Sequence, residues 1–173
     1  MRDAELRFLL FLQDHVRSRK ANRFWLYVTR LGNGSFLWII LTVLLFALPK
    51  TRKIGMLSAG LVVFGEFVIN IVVKLLIRRK RPYEVCDSLS TVKIHPKDTS
   101  FPSGHTCMGF VMFFFYLQAM PLPFAIFVFT AACLIAFSRM YLGVHYPSDV
   151  AGGILLAVGI DAVYMYLLSA LFG

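Results

Sequence analysis

The feature that most restricts this chain is a series of apolar blocks separated by short basic or proline-marked turns. Apolar residues dominate positions 35–48, 54–77, 103–118, 124–139 and 149–172. Between them lie Pro49-Lys50, the polar stretch 78–101, Met120–Pro123 and a reversal at 140–148. A hydrocarbon layer of ~30 Å takes about 20 apolar residues in a helix, and backbone groups inside it must be satisfied internally. The pattern therefore predicts an all-α membrane protein, a bundle of five transmembrane helices with an N-terminal interfacial amphipathic helix. Residues 1–173 read as one integral-membrane domain, with 1–31 as the interfacial layer and 35–172 as the helix bundle. The first block, 35–48, is short for the layer it has to cross.

Residues 1–20 hold one apolar run, Phe8–Leu12, flanked by Asp3, Glu5 and Arg7 before it and by Asp14, His15, Arg17, Arg19 and Lys20 after it. Five residues cannot span a bilayer, and no small-residue cleavage site follows, which argues against a signal peptide. A helix lying in the headgroup region suits the run better. Residues 22–31 continue that layer until Gly32-Asn33-Gly34 breaks it, because glycine tolerates the dihedrals of a sharp turn. The chain carries 18 Lys and Arg against 9 Asp and Glu. These cations flank the apolar blocks, so anionic lipid or a phosphorylated substrate suits them better than nucleic acid. Cys86, Cys107 and Cys133 are too scattered for a disulfide framework or zinc site, and no cofactor is expected.

Polar residues cluster where the blocks end. Glu66, Asn70 and Lys74 recur every four residues, which puts them on one helix face. Glu66 and Asp161 lie within blocks, where a structural role is favoured. Arg81 follows Lys74 by seven positions, ahead of Pro82. Ser103, Gly104 and His105 open the third block; Ser103 reads as an N-cap and Gly104 lets an anion approach the backbone. Arg139 ends the fourth block, His145 lies in the reversal and Asp149 opens the fifth block. Counting crossings puts the 78–102 and 140–148 loops and the N-terminal layer at one membrane face.

The residue types suggest phosphoryl chemistry. Lys74, Arg81 and Arg139 supply positive charge, and Arg matches phosphate geometry with a planar fork. No acidic cluster is available to hold a metal. Catalysis then falls to two imidazoles, one attacking phosphorus and one protonating the leaving oxygen. His145 is the better nucleophile, since Asp149 can accept one ring N–H and leave the other nitrogen's lone pair exposed. His105 is left as general acid. Arg78, Arg79 and Lys80 read as headgroup anchors, and His15 and His95 as solvated.

Lys74-x6-Arg81-Pro82, Pro102-Ser103-Gly104-His105 and Ser138-Arg139-x5-His145-x3-Asp149 together resemble the three-part signature of the type 2 phosphatidic acid phosphatase superfamily. The resemblance covers about residues 25–170 and implies a metal-independent histidine phosphatase acting on a membrane lipid phosphate. It assigns His145 as nucleophile, Asp149 as its partner and His105 as acid, with Lys74, Arg81, Ser103, Gly104 and Arg139 holding the phosphate. Many members have a full first span where this chain has only its short N-terminal run. Undecaprenyl pyrophosphate is the first choice of substrate. Phosphatidic acid, phosphatidylglycerophosphate and lipid A phosphates stay open, as do a non-enzymatic anion or lipid-phosphate carrier and, remotely, a haloperoxidase-like activity. The family implies a site on the outer face of a bacterial cytoplasmic membrane. The positive-inside rule points the other way, because only Lys50, Arg52 and Lys53 lie opposite the site. Oligomeric state is not legible in the sequence.

Overall fold

The computed structural model describes residues 2–73 and 76–172, and these are helical with loops and no strands. Seven α-helices among the described residues carry the architecture: α1 (Arg2–Phe11), α2 (Arg19–Leu31), α3 (Phe36–Ala47), α4 (Arg52–Phe67, continuing as a π-helical stretch Val68–Val73), α5 (Gly104–Ala119), α6 (Leu122–Tyr141) and α7 (Pro147–Phe172). Among the described residues, three segments are long and apolar enough to cross a membrane: Arg52–Ile71, Leu122–Tyr141 and Pro147–Leu171. The pair Arg19–Leu31 and Asn33–Ala47, bent by 58°, makes a fourth if taken as one broken span. α5 has 16 residues, about 24 Å at 1.5 Å per residue, which is less than the hydrocarbon thickness.

α5 is the central helix. Its Cys107, Val111, Met112 and Tyr116 are fully enclosed, and Trp38 of α3, Leu61 of α4, Ala132 of α6 and Ala157 of α7 close around it. The outer faces of α3, α4, α6 and α7 expose Val43, Val63, Ile126 and Leu155. Such a belt, in helices this apolar, suits lipid as the solvent. The small residues of α7 divide in their use. A Cβ at Gly153 would lie 2.9 Å from the Ser103 carbonyl oxygen, so glycine lets α7 close onto the start of α5, whereas Gly159 faces open space.

The N-terminal layer is more firmly docked than a headgroup-bound helix needs to be. Leu9 is buried with Leu89 and Tyr146, and Leu12 is buried too, while Phe8 and Phe11 stay exposed. Ser18 caps α2 by accepting from Ala21 N–H at 3.2 Å. The Arg17 guanidinium donates to the carbonyls of Tyr141 (3.0 Å) and Ser90 (2.7 Å), tying the layer to the end of α6. The expected break at Gly32-Asn33-Gly34 is the turn between α2 and α3, with Gly34 at φ 52° and Ser35 at φ 57°. Ser35 Oγ donates to Glu66 at 2.5 Å, which anchors that left-handed turn on α4.

Candidate active site

His145 lies in the tight reversal after α6, where the N–H groups of Val144 and His145 both donate to the Arg139 carbonyl (3.1 and 3.3 Å). Asp149 sits in the first turn of α7, so a four-residue step brings its Oδ2 to 3.5 Å from His145 Nδ1. That oxygen also accepts from Ser100 Oγ at 2.5 Å and from the Tyr146 N–H at 2.8 Å. Oδ1 accepts from Arg79 at 2.6 Å. The carboxylate is fully buried, and its several donors offset the desolvation of the charge. His145 Nδ1 faces Asp149 at 3.5 Å without closing a hydrogen bond among the described residues, and its Nε2 lies 3.2 Å from Nη1 of the Arg81 guanidinium.

Arg81 is buried and held along its whole edge. Nη1 donates to the Val144 carbonyl (2.8 Å), Nε to the Asp98 carbonyl (2.9 Å) and Nη2 to Asp98 Oδ1 (2.6 Å). Arg139, also buried, donates from Nη1 to Thr29 Oγ1 at 2.6 Å; its Nε has no hydrogen-bond partner among the described residues. Burial depresses the His145 pKa from its usual 6.5 to about 4; Asp149 opposes that shift, while Arg139 and Arg81 add to it. The ring is neutral at pH 7, the form a nucleophile requires.

Opposite stands the start of α5. Ser103 occupies the N-cap position without making the expected capping bond, because its Oγ accepts from Thr106 Oγ1 at 2.9 Å. Its backbone N–H donates to the Asp149 carbonyl at 3.1 Å, which links the two helix starts. His105 Nε2 is 2.8 Å from Asn33 Oδ1, and a Cβ on Gly32 would come within 2.7 Å of the His105 ring. The α2–α3 turn thus fixes the second imidazole. A cavity of about 690 Å³ is lined by Arg81, Arg139, Gly104, His105 and His145, and its outer wall includes Arg30, Lys93 and His95.

Of the sequence-derived site, Arg81, Gly104, His105, Arg139 and His145 therefore share one cavity, Asp149 backs His145, and Ser103 is buried beneath. Lys74 lies outside the described residues. Among the described residues, no three of His, Cys, Asp and Glu come together as a metal-ligand set. Arg79 is a correction: it does not reach for headgroups but bonds Asp149 and Glu5. Its alternation with Arg81 ahead of Pro82 is the one local hint. His95, expected to be solvated, is exposed as expected but stands on the cavity wall. Ser100, Asn33 and Thr29 carried no signal, since each acts on a partner 49 to 110 positions away.

Residues 55–172 match the PAP2 superfamily. The chain belongs to that family. An undecaprenyl-diphosphatase of Sulfolobus acidocaldarius is 33% identical over 78% of this chain, which spans 65% of that protein's length. Undecaprenyl-diphosphatase BcrC of Bacillus subtilis is 30% identical over 80% of this chain and 70% of its own length. Phosphatidylglycerophosphatase B of the same organism is 33% identical over 83% and 73%. Among solved structures, Aquifex aeolicus LpxE superposes with a TM-score of 0.75 at 26% identity, covering 93% of this chain and 94% of that one. The PAP2 match contains every site residue from Arg79 to Asp149, while Glu5, Thr29 and Asn33 precede it.

Proposed function

We propose that this PAP2 protein is a membrane phosphatase that removes the terminal phosphate of a lipid diphosphate, undecaprenyl pyrophosphate in the first instance, through a phosphohistidine on His145. The observation that carries the reading is a buried imidazole held between a carboxylate at 3.5 Å and an arginine at 3.2 Å, on a cavity that also presents His105.

In this reaction His145 Nε2 attacks phosphorus while the bond from phosphorus to the bridging oxygen breaks. His105 gives that oxygen its proton, and the lipid monophosphate leaves. Water then attacks the phosphohistidine, losing its proton to His105, and the N–P bond breaks to release inorganic phosphate and neutral His145. Asp149 holds the Nδ1 proton and offsets the positive charge on the phosphorylated ring. Arg81 moves its Nη1 contact from Nε2 to a phosphoryl oxygen. The Arg139 Nε, Lys74 and the backbone around Gly104 complete the anion cradle, with Ser103 fixing the helix start. No metal is required in this scheme.

α3 to α7 are taken as five crossings, with the site at the outer face of a bacterial cytoplasmic membrane and α1 at the interface. A cavity at the mouth of such a bundle accepts a headgroup while its chain stays in lipid. The two undecaprenyl-diphosphatase relatives favour a polyprenyl diphosphate over other lipid phosphates.

The test is phosphate release by detergent-solubilised protein in excess chelator. The panel comprises undecaprenyl pyrophosphate, phosphatidic acid, phosphatidylglycerophosphate and a lipid A phosphate. The polyprenyl diphosphate should be turned over fastest, and His145→Ala should lower that rate on the order of a thousandfold or more. Unchanged turnover in His145→Ala, or strict dependence on added divalent cation, would overturn the mechanism. Preference for another lipid would overturn only the substrate.

A further inference from the structure

We infer that Glu5, on the N-terminal helix, is a positioning residue of this reaction. It holds the Arg79 guanidinium on Oδ1 of Asp149, so that Oδ2 stays turned toward His145. The inference rests on the phosphohistidine reading above and adds to it a residue from outside the 55–172 match.

Arg79 is a bridge between two carboxylates. Its Nη1 donates to Asp149 Oδ1 at 2.6 Å and to Ser148 Oγ at 2.7 Å, and its Nη2 donates to Glu5 Oε2 at 3.1 Å. The guanidinium lies 4.1 Å from the centre of the Tyr146 ring, next to the nucleophile in sequence. Glu5 Oε1 accepts from the Ser148 N–H at 2.8 Å, so the same carboxylate also satisfies a backbone donor at the start of α7. A negative group is favourable at that helix end. The side chains of Glu5, Arg79 and Asp149 are 10%, 26% and 0% exposed. This shielding separates the bridge from an ordinary surface pair. Glu5 stands one turn before Leu9, whose burial beside Leu89 and Tyr146 docks that face of α1.

Asp149 has two oxygens to divide among three hydrogen-bond donors and the neighbouring His145 imidazole. Arg79 occupies Oδ1, whereas Ser100, the Tyr146 N–H and His145 meet at Oδ2. A guanidinium fork tied at one edge only can turn to engage both oxygens of one carboxylate, the arrangement Arg favours when unopposed. Glu5 holds the second edge and prevents this. It also balances the charge of Arg79, leaving Asp149 to offset the phosphorylated imidazole. The other charged groups facing His145 are Arg81 and Arg139, and Arg81 is itself paired with Asp98.

The experiment compares full-length Glu5→Gln, Glu5→Asp, Arg79→Gln and the Glu5→Gln/Arg79→Gln double variant. Each is assayed in detergent on whichever lipid phosphate the wild type turns over, with melting temperature measured in parallel. Glu5→Gln should lower kcat on the order of tenfold with KM within about twofold, and Glu5→Asp should recover part of the loss. The double variant should be no slower than Arg79→Gln alone, because Glu5 acts only through Arg79. Wild-type kcat in Glu5→Gln would overturn the inference. So would losses that multiply in the double variant, or losses that follow melting temperature, since those mark a helix anchor without influence on the reaction. A wild type inactive on every lipid phosphate would take down the phosphatase reading and this inference with it. An active wild type matched by Glu5→Gln would remove the inference alone.

Discussion

At the scale of single residues, the central feature is an imidazole made unusually reluctant to take a proton. Burial and two neighbouring arginines outweigh the pull of Asp149 and set the His145 pKa at about 4. The enzyme's acid limb in kcat/KM should therefore lie near pH 4, well below the usual 6.5, once the substrate's own titration is measured and divided out. A limb at ordinary imidazole pH would show that His145 is hydrated and poorly positioned. The same group affects stability with a fixed sign. Because the unfolded chain binds the proton more tightly, stability falls as pH drops from about 6.5 to about 4. His145, Asp149, Arg81 and His105 were legible because they stand at short, chemically meaningful spacings beside apolar blocks. Arg79 was misread because a run of four cations before a proline looks like headgroup anchoring. Glu5 could not be found at all, since its donor at Ser148 is 143 positions away.

At the scale of elements, the site depends on two helix starts meeting. α7 presents Asp149, α5 presents His105, and they touch where the Ser103 N–H donates to the Asp149 carbonyl (3.1 Å). Gly153→Val should push these helices apart, because even a Cβ there lies 2.9 Å from the Ser103 carbonyl oxygen. The expected cost is about 1–3 kcal/mol of stability, read as a lowered melting temperature, together with loss of phosphate release. A variant as stable and active as wild type would show that this contact does not set the geometry. Helix locations were readable from apolar runs, and the α2–α3 turn from Gly32-Asn33-Gly34. The docking of α1 was not readable, because a five-residue apolar run does not reveal whether lipid or protein covers it. Nor was the missing Ser103 cap, since Thr106 Oγ1 takes up the hydroxyl from within the same helix.

At the scale of the whole molecule, the five crossings expected from the sequence put the N-terminal layer, the 78–102 loop and the 140–148 reversal at one face. Their direct contacts agree with that: Arg17 with Ser90 and Tyr141, and Glu5 with Arg79 and Ser148. The excess of cations at this face has a structural use. Arg17, Arg79, Arg81 and Arg139 are engaged with protein acceptors, and cations so employed should be discounted from the positive-inside count. The proposed topology of five crossings with an outward site would put the C-terminus on the cytoplasmic side. A C-terminal tag should then resist protease in intact cells, and cleavage there would reverse the proposed orientation. The most direct measurement of the central claim is rapid chemical quench of a single turnover on lipid diphosphate labelled in its terminal phosphate, followed by peptide mapping under alkaline conditions. Transient, acid-labile label on the peptide containing His145 is the predicted result. Label that passes straight to inorganic phosphate while the enzyme turns over, or that resides on His105 or any other side chain, would contradict it.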